Sequence, residues 1–253
     1  MPRMGETDDK MENSIIPGMQ GFQFSGIRTE HLGATEYTLV TIAVDVTGSI
    51  SGFENDLRNS TIAAVEACKK SPRSDNLLLR VIKFASNLPN GIEEIHGFKP
   101  LAEIDPQTYP QFRPGANTPL FDACFSCVGA TNVMAKKLKD DEFQTNGIVF
   151  IITDGCDNES QTTPAMIKKE IKKAISGEQI ESLITIVIGI NAAACTRELE
   201  AFCKEANIDQ YIDAGQVTKG KLAKLADFVS QSVSSQSQAL GTGGPSQKIS
   251  ATI

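Results

Sequence analysis

Imidazole is scarce in this chain of 253 residues: His31 and His96 are the only histidines, and neither stands near a cysteine in the sequence. That argues against a zinc knuckle and against Ser/His/Asp or Cys/His catalysis, which need imidazole beside a second ligand or a nucleophile. Positive charge is also in deficit. Lys and Arg number 24 against 31 Asp and Glu, a formal net charge of -7. Phosphate backbones are held by clustered Lys and Arg, so a nucleic-acid partner is not expected. No apolar run approaches the ~20 residues that span a bilayer, and Met1 to Lys10 is polar and charged rather than signal-like. The expected location is therefore cytoplasmic, away from membranes. No Gly-x-Gly-x-x-Gly occurs. The nearest approach to a phosphate loop, Gly215 to Leu222, puts leucine where Ser or Thr must bind Mg²⁺.

Six cysteines in a chain of this size do not make a disulfide scaffold. Cys68, Cys124, Cys127 and Cys203 fall on apolar helical stripes and are expected as buried thiols. Cys156 follows Asp154-Gly155 and is expected to be exposed.

A hydrophobic content of 40% and a charged content of 22% are those of an ordinary globular chain. Residues 1–34 have little periodicity and read as an N-terminal arm, with Phe22 and Phe24 alternating as in a short edge strand. Tyr37 to Val46 is a continuous apolar, β-branched strand, and Ile148 to Thr153 and Leu183 to Ile190 are two more. Leu77 to Phe84 and Ile92 to Phe98 flank Asn90-Gly91 as an antiparallel pair. Gln210 to Asp213 reads as a short final strand. Helical stripes follow Ser51, Thr118-Pro119, Thr163-Pro164, Ile190 and Gly220. From Ser234 the composition turns to Ser, Gln, Gly and Thr and reads as a flexible tail. The expectation is an arm (1–34), one α/β domain (35–233) with a doubly wound, mostly parallel sheet and one antiparallel edge strand, and a tail (234–253).

The first buried strand ends on Asp45, with Thr47 and Ser49 at alternating positions beyond it. Buried parallel strands deliver such residues to the carboxyl edge of the sheet, where open α/β folds bind ligands. Asp154 ends a second buried strand in the same orientation, and Thr118 stands at a helix start after Gly115-Ala116-Asn117. The Thr118 hydroxyl is placed either to cap that helix or to join the set. Two carboxylates and three hydroxyls suit a hard divalent cation, Mg²⁺ or Mn²⁺. Asp157 and Glu159 fall nearby, on the rim or in a solvated loop.

Asp45-x-Thr47-x-Ser49, Thr118 in Asn117-Thr118-Pro119-Leu120, and Thr153-Asp154-Gly155 resemble the metal-ion-dependent adhesion site of von Willebrand factor A domains. The usual pattern has Ser where Thr47 stands; threonine keeps the hydroxyl and adds a methyl. The resemblance spans roughly Tyr37 to Val233. It implies the Rossmann-like architecture of that family and a non-enzymatic module whose bound cation is bridged by an Asp or Glu carboxylate of a protein partner. It also implies a last helix, here Thr218 to Val233, able to shift on ligation. Asp45-Val46-Thr47-Gly48-Ser49 is similar as well to the Asp-x-Thr-Gly-Thr of P-type ATPases, among the haloacid-dehalogenase-like phosphotransferases, where the aspartate is a nucleophile. That alternative leaves no room for a cap insertion after Ser49 and no role for Thr118.

Overall fold

A computed structural model describes residues 9–177, 179–216, 218–243 and 248–250. In chain order the elements are β1 (Met11–Ile15), β2 (Gln23–Ile27), β3 (Glu36–Asp45), α1 (Glu54–Lys69), β4 (Leu77–Phe84), β5 (Ile92–Pro100), α2 (Leu120–Asp140), β6 (Gln144–Thr153), α3 (Pro164–Ser176), β7 (Leu183–Ile190), α4 (Thr196–Ala206), β8 (Gln210–Gly215) and α5 (Lys219–Thr242). They build one sheet in the order β1-β2-β5-β4-β3-β6-β7-β8.

β3 lies between β4 and β6 and runs parallel to both; β6, β7 and β8 continue the parallel set. Its alternation divides the core in two. Leu39 and Ala43 pack with the buried faces of α2, α3 and α4, whereas Val40, Ile42 and Val44 pack with α1 and α5 on the other side. A strand covered on both faces has no polar side to show, which is why β3 reads as a continuous apolar run. The chain leaves β3 toward β4 on one side and returns to β6 on the other, so the carboxyl end of β3 lies at the point where strand order reverses.

β4 and β5 form the expected antiparallel pair. Their turn places Asn90 (φ 52°) and Gly91 (φ 74°) in left-handed conformations, as Asn-Gly turns require. β5 is not outermost. β2 adds parallel to it at Gly26 and Phe98, and β1 pairs antiparallel with β2. The short strand expected at Phe22 and Phe24 is present as β2, and the rest of the arm over residues 1–34 is corrected for the described part: β1 pairs with β2, and Ile16 and Ile27 are core residues with Phe22 and Phe24. The close approach depends on Gly97, where a Cβ would meet the Ser25 carbonyl oxygen at 1.9 Å.

The other correction lies at the opposite terminus. α5 does not fray at Ser234 but runs to Thr242 and ends on Gly243 in a left-handed cap. Gln236 is 0% exposed; its Nε2 donates to the Gly147 carbonyl (3.3 Å) and Ser182 Oγ (2.9 Å), and its carbonyl accepts from Asn146 Nδ2 (2.7 Å). Leu240 is buried too. These groups are engaged inside the fold rather than solvated, while the buried Gln236 Oε1 has no partner among the described residues. Residues 248–250 lie back against β8, with Lys248 paired to Asp209 at 2.9 Å. The rest of the expected tail, 244–247 and 251–253, lies outside the described residues.

Cys68, Cys124, Cys127 and Cys203 are buried thiols, and burial pushes each above the ordinary thiol range. Cys156 is not a free exposed thiol: it forms a disulfide with Cys195, Cα to Cα 5.5 Å.

Candidate metal centre

The register that pairs Val44 with Ile152 brings the ends of β3 and β6 side by side. Asp45 is 1% exposed. Its Oδ2 accepts from Thr153 Oγ1 (2.7 Å) and its Oδ1 from the Thr47 amide (2.9 Å). A single 3₁₀ turn, Gly48–Ile50, follows and sets Thr47 beside Ser49. Thr47 Oγ1 lies 3.0 Å from Ser49 Oγ, and Ser49 Oγ donates to Asp154 Oδ1 at 2.8 Å. Because Ser49 spends its one proton on the carboxylate, Thr47 is the donor in the pair. Four of the five residues expected from the sequence thus form one hydrogen-bonded chain.

Thr118 is the fifth. The helix after it begins at Leu120 with Pro119 in the capping position and no side-chain cap, so the Thr118 hydroxyl is not spent on α2. A Cβ at Gly155 would stand 3.7 Å from that hydroxyl, which places it against the residue following Asp154. The loop around it is clamped from both sides. The Thr118 amide donates to Asn158 Oδ1 (2.7 Å) and its carbonyl accepts from the Asn158 amide (3.1 Å). Asn117 exchanges bonds with Ser86, its amide to Ser86 Oγ (3.0 Å) and its carbonyl from the Ser86 amide (2.9 Å). The Gly115 amide reaches the Val46 carbonyl at 2.7 Å and ties this loop to the Asp45 turn.

The electrostatics are those of an uncompensated pair. Burial, and then the charge of Asp154, push Asp45 up to about 6, against the lowering effect of the bonds from Thr153 and Thr47. Burial raises Asp154 as well, opposed by the Ser49 bond. Among the described residues no ion pair engages either carboxylate. Two carboxylates held close without a countercharge are costly to ionise. A hard cation relieves that cost, and an all-oxygen set of two carboxylates and three hydroxyls is chemically matched to one. The donor set therefore fits a divalent ion.

As a nucleophile Asp45 is poorly disposed. Both its oxygens are engaged, it is buried, and the chain reaches α1 at Glu54 with no inserted cap.

Several residues beyond the five donors shape the site, and of these Asp122 carries no signature in sequence. Thr153 aligns Asp45, and its Oγ1 also accepts from the Gly155 amide (3.2 Å). Asp122, at the start of α2, accepts from the amides of Gln161 (3.1 Å) and Thr162 (2.8 Å) and from Thr162 Oγ1 (2.7 Å), pinning the loop after β6. Asp157 holds the Phe121 amide at 3.2 Å, so it serves the helix start as well as the rim; Glu159 is exposed and accepts from Asn117 Nδ2 at 2.9 Å. The disulfide ties this loop to the start of α4. One signal was available for that bond: neither Cys156 nor Cys195 belongs to a buried stripe, unlike the other four.

No protein-family model matches the chain, and no curated protein does. Solved structures of similar shape include the pilus adhesin SpaC of Lactobacillus rhamnosus GG, with a TM-score of 0.55, 10% identity, and coverage of 89% of this chain and 33% of the adhesin. A mutant of the PilB minor pilin of Streptococcus sanguinis gives 0.53, 12%, 87% and 66%. The vWF domain of the type V pili tip protein Mfa5 of Porphyromonas gingivalis gives 0.51, 11%, 86% and 99%. The chain thus spans about a third of the adhesin and nearly all of the Mfa5 domain. At these identities the likeness is one of fold: the sheet and its five helices have the von Willebrand A-type, Rossmann-like architecture.

Proposed function

We propose that the chain is a non-enzymatic binding module that captures a protein partner through a divalent cation, Mg²⁺ or Mn²⁺, held by Asp45, Thr47, Ser49, Thr118 and Asp154. The observation that carries this reading is the buried pair Asp45 and Asp154, linked by the Thr47–Ser49 hydroxyl chain and lacking a countercharge. When bound, the cation supplies an electrophilic position for a partner's Asp or Glu carboxylate, since only two formal negatives surround it.

The chain's own residues do the positioning. Thr153 and the Thr47 amide hold the Asp45 carboxylate in one orientation, which lowers the ordering cost of binding. Asn158 and Ser86 hold the Thr118 loop. Likeness of fold to a pilus adhesin and a pilus tip domain supports capture over catalysis. The Cys156–Cys195 bond favours an oxidising compartment over the cytoplasm expected from composition, because disulfides persist where thiols are not kept reduced. Among the described residues no helix is long and apolar enough to cross a membrane.

The test is a pull-down on immobilised protein with Mg²⁺ or with EDTA, with Asp45→Ala as the control. Partner capture that depends on Mg²⁺ and on Asp45 is expected. Capture indifferent to both, or a phosphoryl adduct trapped on Asp45, contradicts the proposal.

A further inference from the structure

Next to the Thr118 loop is a cavity of about 200 Å³ that none of the five oxygen donors lines. Its walls come from three places: Met19 and Phe22 of the N-terminal segment, Ser86 after β4, and Pro119, Asp122 and Glu159 from the start of α2 and the loop after β6. The volume is below the ~300–1,000 Å³ of small-molecule pockets and suits a single long side chain.

Its chemistry has one sign. Asp122 and Glu159 line it and, among the described residues, no Lys or Arg does; the Asp122 carboxylate is engaged by Gln161 and Thr162, so Glu159, exposed, is the carboxylate left to meet a cation. Met19, Phe22 and Pro119 supply apolar wall. A lysine or arginine matches such a lining, its methylene stem lying on apolar surface and its charged head reaching the Glu159 carboxylate. The cavity also flanks the Thr118 loop of the candidate centre. Pro119 is the neighbour of Thr118, and Glu159 accepts from Asn117 Nδ2 on the other side of the same threonine. Extended chain advances ~3.3 Å per residue, so a segment with a carboxylate at the centre passes the cavity within a few residues.

We propose that this cavity receives a Lys or Arg side chain of the same partner segment whose carboxylate reaches the cation. The partner motif is then an acidic residue with a basic residue close by in sequence. The inference rests on the metal-bridged reading above and adds the chemical class of the second contact.

The test uses short capped peptides carrying one Asp and one Lys at varied spacing, each compared with the same peptide bearing norleucine for lysine. Binding is followed by fluorescence anisotropy in Mg²⁺ and in EDTA. At the best spacing the Lys peptide is expected to bind roughly five- to tenfold more tightly than its norleucine twin, the scale of a partly buried charge-assisted contact. That ratio should fall toward one in Glu159→Gln, and also in Gln161→Lys, which puts a cation on the cavity wall at an exposed position. Because the ratio is internal to each variant, damage to the metal centre cancels. Mg²⁺-dependent binding with a ratio of one at every spacing overturns the cavity proposal and leaves the metal reading standing. A ratio that survives both variants overturns it as well. Absence of Mg²⁺-dependent binding by any peptide overturns both.

Discussion

Replacing Asp45 with asparagine should stabilise the protein in the absence of metal. Burial and the Asp154 charge raise the Asp45 carboxyl from 3.8 to about 6 in the folded chain. A carboxyl raised in this way contributes stability that is fully present below about pH 4 and is lost as pH rises through about 6. At about pH 7.5 the metal-free fold therefore carries an ionised Asp45 at a cost of about 3 kcal/mol, taking about two pKa units at 1.36 kcal/mol each. Asparagine removes the charge and keeps the shape. Its Oδ1 can still accept from the Thr47 amide, and its amide nitrogen can donate to Thr153 Oγ1. That hydroxyl can turn its own proton to the Gly155 carbonyl, already 3.1 Å away. Allowing for imperfect geometry, a net gain of about 1–3 kcal/mol is expected, or about 2–10 °C in Tm for a chain of this size. Urea and thermal denaturation in EDTA measure it. Wild type should gain stability in millimolar Mg²⁺ and the variant should not. A variant less stable than wild type in EDTA near neutral pH, or a metal-free wild type whose stability does not fall between about pH 5 and 7.5, refutes the electrostatic reasoning.

Thr153→Val removes the hydroxyl that aligns Asp45; Mg²⁺ affinity should drop about 10–100-fold, the usual cost of losing a supporting partner of a metal ligand, as read by calorimetric titration. Opening the Cys156–Cys195 bond, by dithiothreitol or by the double serine variant, should cost about 2–4 kcal/mol for a loop closed across 39 residues; equal denaturation midpoints with and without reductant would count against it. Truncation after Val233 should destabilise the fold by several kcal/mol, since it removes the buried Gln236 with its bonds and Leu240. A dispensable tail would leave Tm unchanged.

What was legible in the sequence was what is local. β3 and β6 announce themselves because strands covered on both faces can tolerate few polar residues; β3 ends on Asp45, and Asp154 follows directly on β6. Alternate spacing put Asp45, Thr47 and Ser49 on one side of the chain, the structure adds the turn at Gly48–Ile50, and parallel pairing brings Asp154 to them. The contacts that hold the Thr118 loop were not legible. Ser86, Asn117 and Asn158 are ordinary loop residues until three strand ends are set side by side. The disulfide needs the loops after β6 and β7 to be neighbours, a fact of topology. β2 showed only in the alternation of Phe22 and Phe24, β1 was obscured by its shortness, and the end of α5 by composition. Ser and Gln read as solvated chain, yet here Gln236 serves buried carbonyl and hydroxyl groups at the far edge of the sheet from the candidate centre.

The most direct test of the metal centre is calorimetric titration of Mg²⁺ into EDTA-stripped and dialysed protein at about pH 7.5 and about pH 5, on wild type and Asp45→Ala. Because the Asp45 carboxyl sits at about 6 without metal, binding must displace protons on the acid side and weaken there. A saturable single-site isotherm near neutral pH, weaker at the lower pH and absent in the variant, is the predicted result. No saturable binding in wild type, or the same isotherm in Asp45→Ala, would contradict it.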